Sequence, residues 1–273
     1  MTLSEITKKL ADAGIEPARF EALLLIEALE KVPRSRAIAD PDADYASAEL
    51  LSAVEKRVGR YPLQYILGEW EFCGLTFEVD ENCLIPRSDT ELLVDAAVRA
   101  MPKLGGRLLD LCTGSGCVAA AVLSMTADTD STGVALELMH GTAALARRNM
   151  ARLGLSDRCC VIEADLRDDV LASEVFDVIT ANPPYISTDE MKTLEAELSF
   201  EPRVALTDGG DGLSLYEDII RIYKDRLKPG GVMLLEHGYA QAEAVCAIAR
   251  RYGMECATIY DLAGNARVAR VTL

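Results

Sequence analysis

The chain has 273 residues, half of them hydrophobic, and carries 44 Asp and Glu against 28 Lys and Arg for a net charge of −16. That length allows one large domain or two ordinary ones, each with a sizeable core. No apolar run approaches the ~18 residues of a membrane span, the start MTLSEITKKL lacks a signal-peptide segment, and an acidic surface repels phosphate backbones; a cytoplasmic protein is expected, with no membrane and no direct nucleic-acid partner.

Residues 1–69 read as a small helical bundle. Thr2 and Glu5 have capping-box spacing, with Leu3, Ile6 and Leu10 at helical intervals. A second helix over 17–32 begins just after a proline, and a third over 41–62 is ended by Gly59 and Pro62. The period changes in WEFCGLTFEVDENCLI, residues 70–85, where Phe72, Leu75, Phe77 and Val79 predict a β-hairpin between two domains. A helix follows over 86–101, with Ser88 or Asp89 as its cap and Glu91 in its first turn.

From Arg107 onward strand and helix patterns alternate. Strands are predicted over 107–112, 131–136, 159–164, 176–181 and 231–237, with helices such as 117–125, 141–153 and 214–227 between them. Two more strands, 255–262 and 267–273, flank Ala263, Gly264 and Asn265. The alternation implies an α/β fold over 86–273, a doubly wound parallel sheet whose far edge a closing hairpin makes antiparallel.

Eight cysteines are scattered without a C-x-x-C pair, and the only histidines are His140 and His237. Metal-ligand spacing is therefore absent, and the thiols are expected to be reduced, mostly as small buried hydrophobes. His140 reads as a surface residue at a helix start. His237 stands near a strand end, where a hydrogen-bonded structural histidine is a better reading than a general base.

Two motifs carry chemistry. LLDLCTGSGCVA, residues 108–119, is a strand, a glycine turn and a helix start; Gly114 and Gly116 let a ligand approach the backbone. The next strand ends at Glu137, where a carboxylate can accept hydrogen bonds from two ribose hydroxyls. The full dinucleotide glycine spacing and a Walker lysine are both missing. Asp165 ends the third strand, either to meet an adenine amino group or to cap the following turn. The second motif is VITANPPYIS, residues 178–187: Pro183 and Pro184 stop the strand, so Asn182, a free carbonyl and Tyr185 are held on a stiff turn. Ligands of open α/β sheets bind outside the carboxyl ends of the strands, so Gly114, Glu137, Asp165 and Asn182 converge on one crevice. Arg203 lies in the segment 186–212, either in a loop that closes over a substrate or in an exposed ion pair.

LDLCTGSG with an acidic strand end and NPPY resembles the class I S-adenosylmethionine-dependent methyltransferases that alkylate planar nitrogens. The flanking segments RYPLQYILGEWEFCGLTFEVDENCLIPRSDTELLV (60–94), FEPRVALTDGGDGLSLYEDII (200–220), LLEHG (234–238) and DLAGNARV (261–268) resemble the PrmC/HemK family of peptide chain release factor N5-glutamine methyltransferases. The resemblance implies a Rossmann-like class I methyltransferase sheet preceded by a release-factor-recognising bundle. It also implies a monomer, S-adenosyl-L-methionine as methyl donor with S-adenosyl-L-homocysteine as product, and a release factor as protein substrate. Cys112, Thr113, Gly114, Ser115 and Gly116 would wrap the methionine part of the donor, Glu137 would hold its ribose, and Asp165 and Leu166 would lie beside its adenine. Asn182, Pro183, Pro184 and Tyr185 would grip the substrate glutamine, with Arg203 beside them, and Asn182 would also border the donor. Family members usually carry Gly at the position of Cys112 and Asp at that of Glu137, and some carry an aromatic at that of Leu166.

A carboxamide nitrogen is a weak nucleophile because its lone pair is delocalised into the carbonyl. The expected device is a pair of acceptors, the Asn182 side-chain oxygen and the Pro183 carbonyl, taking both N–H bonds of the substrate amide while Tyr185 packs on its plane. Alignment of this kind is worth roughly 7–11 kcal/mol. The enzyme rival, adenine-N6 methylation of nucleic acid, also uses NPPY but is disfavoured by the charge of −16. A cofactor-binding protein without catalysis would have no use for an amide clamp.

Overall fold

The computed structural model describes every residue except Ala127, Asp169 and Ala172. The chain divides into two units, Met1–Glu69 with Glu195–Phe200, and Trp70–Leu194 with Glu201–Leu273.

The first unit contains α1 (Leu3–Asp12), α2 (Ala18–Glu30), α3 (Arg34–Ala39), α4 (Ala48–Val58) and α5 (Leu63–Leu67). The capping box at α1 forms as its spacing predicts: the Thr2 hydroxyl accepts from the Glu5 amide at 3.2 Å, and the Glu5 carboxylate accepts from the Thr2 amide at 2.8 Å. The third helix is shorter than 41–62, because the Ser47 hydroxyl accepts from the Leu50 amide at 3.1 Å and starts α4 there. Leu3, Ile6, Leu10, Leu25, Ile26, Leu50 and Val54 are fully buried in one core. Beside it Arg57 is buried and pairs with Glu21 at 2.6 Å and with Glu197 at 3.1 Å. Glu197 belongs to the 195–200 segment, whose membership of this unit no local pattern in the sequence signals.

A hairpin follows in the chain, β1 (Glu69–Phe72) and β2 (Leu75–Glu78). Cys73 and Gly74 turn it with φ of 50° and 73°, the positive values a two-residue hairpin turn needs. The hairpin ends well before residue 85, and 79–87 have no regular structure. A 3₁₀ turn, Ser88–Thr90, leads into α6 (Glu91–Ala100). Neither Ser88 nor Asp89 caps this helix, contrary to expectation. Thr90 stands at the cap position without bonding the helix amides; its hydroxyl turns away from them, donating to Glu236 at 3.2 Å and accepting from Asn182 Nδ2 at 3.3 Å.

The sheet is built from β3 (Arg107–Leu111), β4 (Thr132–Glu137), β5 (Cys159–Glu163), β6 (Phe176–Ala181), β7 (Leu227–Glu236), β8 (Glu255–Tyr260) and β9 (Ala266–Thr272). Its helices are α7 (Cys117–Met125), α8 (His140–Arg152), α9 (Arg203–Leu206), α10 (Ser214–Tyr223) and α11 (Ala242–Arg251). The spatial order is β5-β4-β3-β6-β7-β9-β8, with β3 to β7 parallel and β9 antiparallel to both β7 and β8. The expected doubly wound α/β class with an antiparallel far edge holds. Alternate strand residues feed two cores. Leu108, Ala135, Val178 and Leu234 face α6 and α7, whereas Leu109, Val134, Ile179 and Met233 face α10 and α11. The helix predicted over 214–227 stops at Tyr223, and β7 starts at Leu227 because Leu227 pairs with Phe176. Among the described residues no helix is long and apolar enough to cross a membrane.

The cysteine expectation needs one correction. Cys246 on α11 and Cys256 on β8 form a disulfide, with Cα atoms 5.3 Å apart, within bridging range. A separation of 10 residues matches no thiol motif, and only the packing of α11 on its strand brings the pair together. The other six cysteines form no disulfide among the described residues, and burial pushes the Cys73, Cys83 and Cys159 thiols up to about 12.

Candidate active site

Strands β3, β4 and β6 end side by side, since Leu111 pairs with Leu136 on one side and with Ala181 on the other. The chain order reverses across β3, which makes these ends the switch point of the sheet. Directly after β3 the backbone turns left-handed at Cys112, Gly114 and Gly116, with φ of 55°, 58° and 83°. Cys112 thus occupies a conformation that favours glycine. The Thr113 amide donates to Leu136 O at 3.1 Å, and the Gly116 amide to Thr113 O at 2.9 Å. Fully buried Asn149 donates to Ser115 O at 2.9 Å and to Glu78 O at 3.0 Å, tying the loop to β2.

Glu137, at the end of β4, closes the same loop. Its two carboxylate oxygens accept from the Gly114 amide at 2.9 Å and the Met139 amide at 3.0 Å. Burial raises its pKa, and the backbone hydrogen bonds oppose that rise. Asp110 is buried within β3 and accepts from the Thr113 hydroxyl at 2.5 Å and the Thr180 hydroxyl at 2.7 Å. Burial pushes its carboxyl up to about 6 against those bonds.

A cavity of about 280 Å³ opens above these strand ends. Cys112, Thr113, Gly114, Ser115 and Glu137 line it, as do Asp165 and Leu166 on one side and Asn182 and Pro184 on another. Gly116, Pro183, Tyr185 and Arg203 do not line it. Gly116 turns inward instead, where an added Cβ would meet Met150 at 2.9 Å. Asp165 takes the cap-like option in part: its Oδ1 accepts from the Arg167 amide at 2.9 Å. Arg203 is exposed and forms no ion pair among the described residues, although its neighbours Pro202, Val204 and Ala205 line the cavity.

The Asn182–Tyr185 turn is held from several sides. Pro183 is buried and the other three are half-buried. The Asn182 Nδ2 donates to Thr90 Oγ1 at 3.3 Å, while its Oδ1 accepts no bond from a described residue. Gln241 Nε2 donates to Tyr185 O at 2.9 Å. Gly212, at φ 79°, lies so close to that carbonyl that an added Cβ would sit 2.1 Å from the oxygen. Asp208 shapes the glycine-bearing loop, accepting from the amides of Gly210, Gly212 and Ser214 at 2.8, 3.0 and 3.1 Å. Burial would raise the Asp208 carboxyl, but the Ser214 hydroxyl and these amides outweigh it and the net shift is downward. Burial also pushes the Tyr185 phenol up to about 12. Farther back, Glu201 accepts from the Ile85 amide at 3.1 Å and pairs with Arg87, fixing the irregular segment before α6.

His237 is fully buried, lowered in pKa by that burial, and bonded through Nδ1 to Gly238 O at 2.9 Å; it does not line the cavity. His140 is exposed at the start of α8 and pairs with Glu163 at 2.8 Å. Among the described residues no group of three or more His, Cys, Asp or Glu could hold a metal ion. Sequence reading passed over Thr90, Asp110, Asn149, Glu201 and Glu236. For Asp110 and Glu236 a signal was present, an acid directly beside a run of apolar strand residues, Leu108–Leu109 and Val232–Leu235.

Comparison with known proteins agrees with this geometry. Residues 2–68 match the PrmC N-terminal domain, and residues 88–235 match the methyltransferase small domain. A release factor glutamine methyltransferase of Geobacter sulfurreducens is 39% identical over 95% of this chain and 91% of its own length. The chain belongs to the release factor glutamine methyltransferase family. A second member, from Caulobacter vibrioides, is 35% identical over 95% of the chain and 91% of its own length. The crystal structure of a methyltransferase from Pyrococcus furiosus shares the fold at 16% identity, with a TM-score of 0.54 over 82% of this chain and 95% of that one.

Proposed function

We propose that this chain transfers a methyl group from S-adenosyl-L-methionine to the side-chain nitrogen of the glutamine in the GGQ motif of peptide chain release factors. Kinship with the curated methyltransferases supports the reaction class. The observation that carries the substrate reading is the Asn182 amide, whose nitrogen is already engaged by Thr90 and whose oxygen remains an unspent acceptor beside a cavity.

Three features of the cavity suit the methyl donor. Ser115 Oγ is buried without a hydrogen-bond partner among the described residues. A Cβ at Gly114 would meet no atom within 4 Å, so the loop leaves open space along its backbone. Asp110, Glu137, Asp165 and Asp208 outnumber Arg87 and Arg167 around it, which suits a cationic ligand. Cys112 to Ser115 would hold the methionine part, with Gly116 packed behind them to turn the loop, Glu137 would hold the ribose hydroxyls, and Asp165 and Leu166 the adenine. When bound, the sulfonium supplies an electrophilic methyl group with a neutral leaving group, so neither a metal nor a covalent intermediate is required.

The protein's task is then alignment. Asn182 Oδ1 and Pro183 O accept the two N–H bonds of the substrate amide and stabilise positive charge developing on its nitrogen, which gives up one of those protons to water after the transfer. The rigid proline turn keeps both acceptors from relaxing away, and Tyr185 supplies an apolar face. Segment 201–208, which includes Arg203, would border the substrate peptide, and the helical unit of residues 1–69 would recognise the rest of the release factor.

The deciding experiment incubates the protein with labelled S-adenosylmethionine and purified release factor, the same factor with its GGQ glutamine replaced, total RNA, or DNA. Label on the unaltered factor alone is expected. Label on nucleic acid, or on the factor lacking that glutamine, would overturn the reading.

A further inference from the structure

Glu236 is the last residue of β7 and is 3% exposed, yet the amide-clamp mechanism gives it no task. Its Oε1 accepts from Thr90 Oγ1 at 3.2 Å, and its Oε2 is buried with no hydrogen-bond partner among the described residues. Thr90, equally buried, sits between Glu236 and Asn182 and forgoes capping α6 to do so. A hydroxyl has one proton to donate, and an ionised carboxylate can only accept. With Glu236 ionised, the Thr90 proton must go to Glu236. Thr90 Oγ1 then faces Asn182 as an acceptor, and only the NH2 end of the Asn182 amide can satisfy it. The chain of donors Asn182→Thr90→Glu236 therefore dictates which end of the Asn182 amide is left for the substrate.

We propose that Glu236 and Thr90 are positioning residues that lock the Asn182 side chain with its oxygen toward the substrate amide. The proposal rests on the glutamine-methylation reading and adds to it the control of the clamp's orientation. Protonation of Glu236 would reverse the relay. Its carboxyl proton could donate to Thr90 Oγ1, whose own proton would then seek the Asn182 oxygen, leaving an NH2 group to confront the substrate's N–H bonds. The relay has the means to respond to pH in the neutral range, since burial pushes the Glu236 carboxyl up to about 7. Other groups bear on it from each packed element. Asp89 beside Thr90 raises it, and Arg267 on β9, which pairs with Asp89 at 2.8 Å, lowers it, as does the Asn182 amide. Tyr185 and Tyr216 stay neutral through burial, the Tyr216 hydroxyl donating to Glu236 O at 2.7 Å, and His237 is kept toward its neutral form.

The test compares methyl transfer to purified release factor by the wild-type chain and by T90V, T90S, E236L and E236Q, with the dissociation constant of S-adenosylmethionine measured calorimetrically for each. T90V and E236L are expected to lose about 10- to 100-fold in kcat/KM for the factor, with donor affinity within about 2-fold. T90S, which retains the hydroxyl, should recover most of the loss. The wild-type rate should fall on acidification through a limb near pH 7, and E236Q, whose amide does not titrate, should lack that limb. The relay is overturned if T90V keeps its rate, if donor affinity falls in step with rate, or if E236Q retains the acid limb. T90S against T90V decides the matter even if both Glu236 variants fail to fold. No label with the wild-type chain would overturn the reaction itself, whereas equal label from wild type and T90V would overturn the relay alone.

Discussion

The two walls of the cavity are built in different ways. The glycine-loop wall is supported mainly by nearby groups, with Asn149 reaching Ser115 O from 34 residues away: Thr113 bonds Asp110 three residues away, Gly116 bonds Thr113, and Glu137 closes on Gly114 from the next strand. Most of these bonds involve backbone amides. The amide-clamp wall is supported from far along the chain. Asn182 leans on Thr90, 92 residues away, and Thr90 on Glu236, 146 residues away. Tyr185 O takes Gln241 from 56 residues away and the close approach of Gly212. A wall made of backbone geometry binds whatever fits its shape. A wall made of a directed side-chain relay presents one polarity, and that is what discrimination between a donor and an acceptor on the substrate requires.

That division of labour can be broken by substitution. The largest effect is expected for Asn182→Ala, which removes one of the two acceptors proposed for the substrate amide. It should lower kcat/KM by about 10²- to 10³-fold while donor affinity, read by calorimetry, holds. Glu137→Ala should do the reverse. Losing bonds to two ribose hydroxyls should weaken S-adenosylmethionine binding about 10- to 100-fold, with kcat at saturating donor much less affected. Should Glu137→Ala lower kcat and spare affinity, the two walls do not divide the work. Gly212→Val sharpens the clamp side. Its side chain would overlap the Tyr185 carbonyl, so chemical denaturation should show a loss of about 2–3 kcal/mol, with the methyl-transfer rate falling and donor affinity spared. The smallest effect concerns Cys112. A β-branched side chain at φ 55° is strained, so Cys112→Val should cost about 1–2 kcal/mol in a melting experiment, and Cys112→Gly should be no less stable than wild type. Equal stability of the valine variant would mean that the backbone there is not left-handed.

Much of the molecule was legible in the residues. The capping box of Thr2 and Glu5, the alternation of apolar strands and helices after Arg107, and the antiparallel closing edge all follow from local periodicity and chain punctuation. The glycine loop and the proline turn were legible for the same reason: each is a short contiguous stretch whose backbone options are few. The Ser88 or Asp89 cap was misread because a local rule lost to a distant partner, the Thr90 hydroxyl turning to Glu236. The Cys246–Cys256 bridge was missed because no spacing rule encodes the packing of a helix against the next strand. Arg203, chosen for its place in a loop, lies outside the cavity lining while its uncharged neighbours lie within it.

Periodicity, glycine and proline act over a few residues, so the fold class, the position of the crevice at the strand ends and the backbone form of its two motifs are set by local stretches of chain. Which end of the Asn182 amide is free, which buried acids stand behind it, and that residues 195–200 join the helical unit emerge only in the folded arrangement. Those are questions of hydrogen-bond direction and packing between segments remote in sequence, and each partner's proton is fixed only when all of the others are in place.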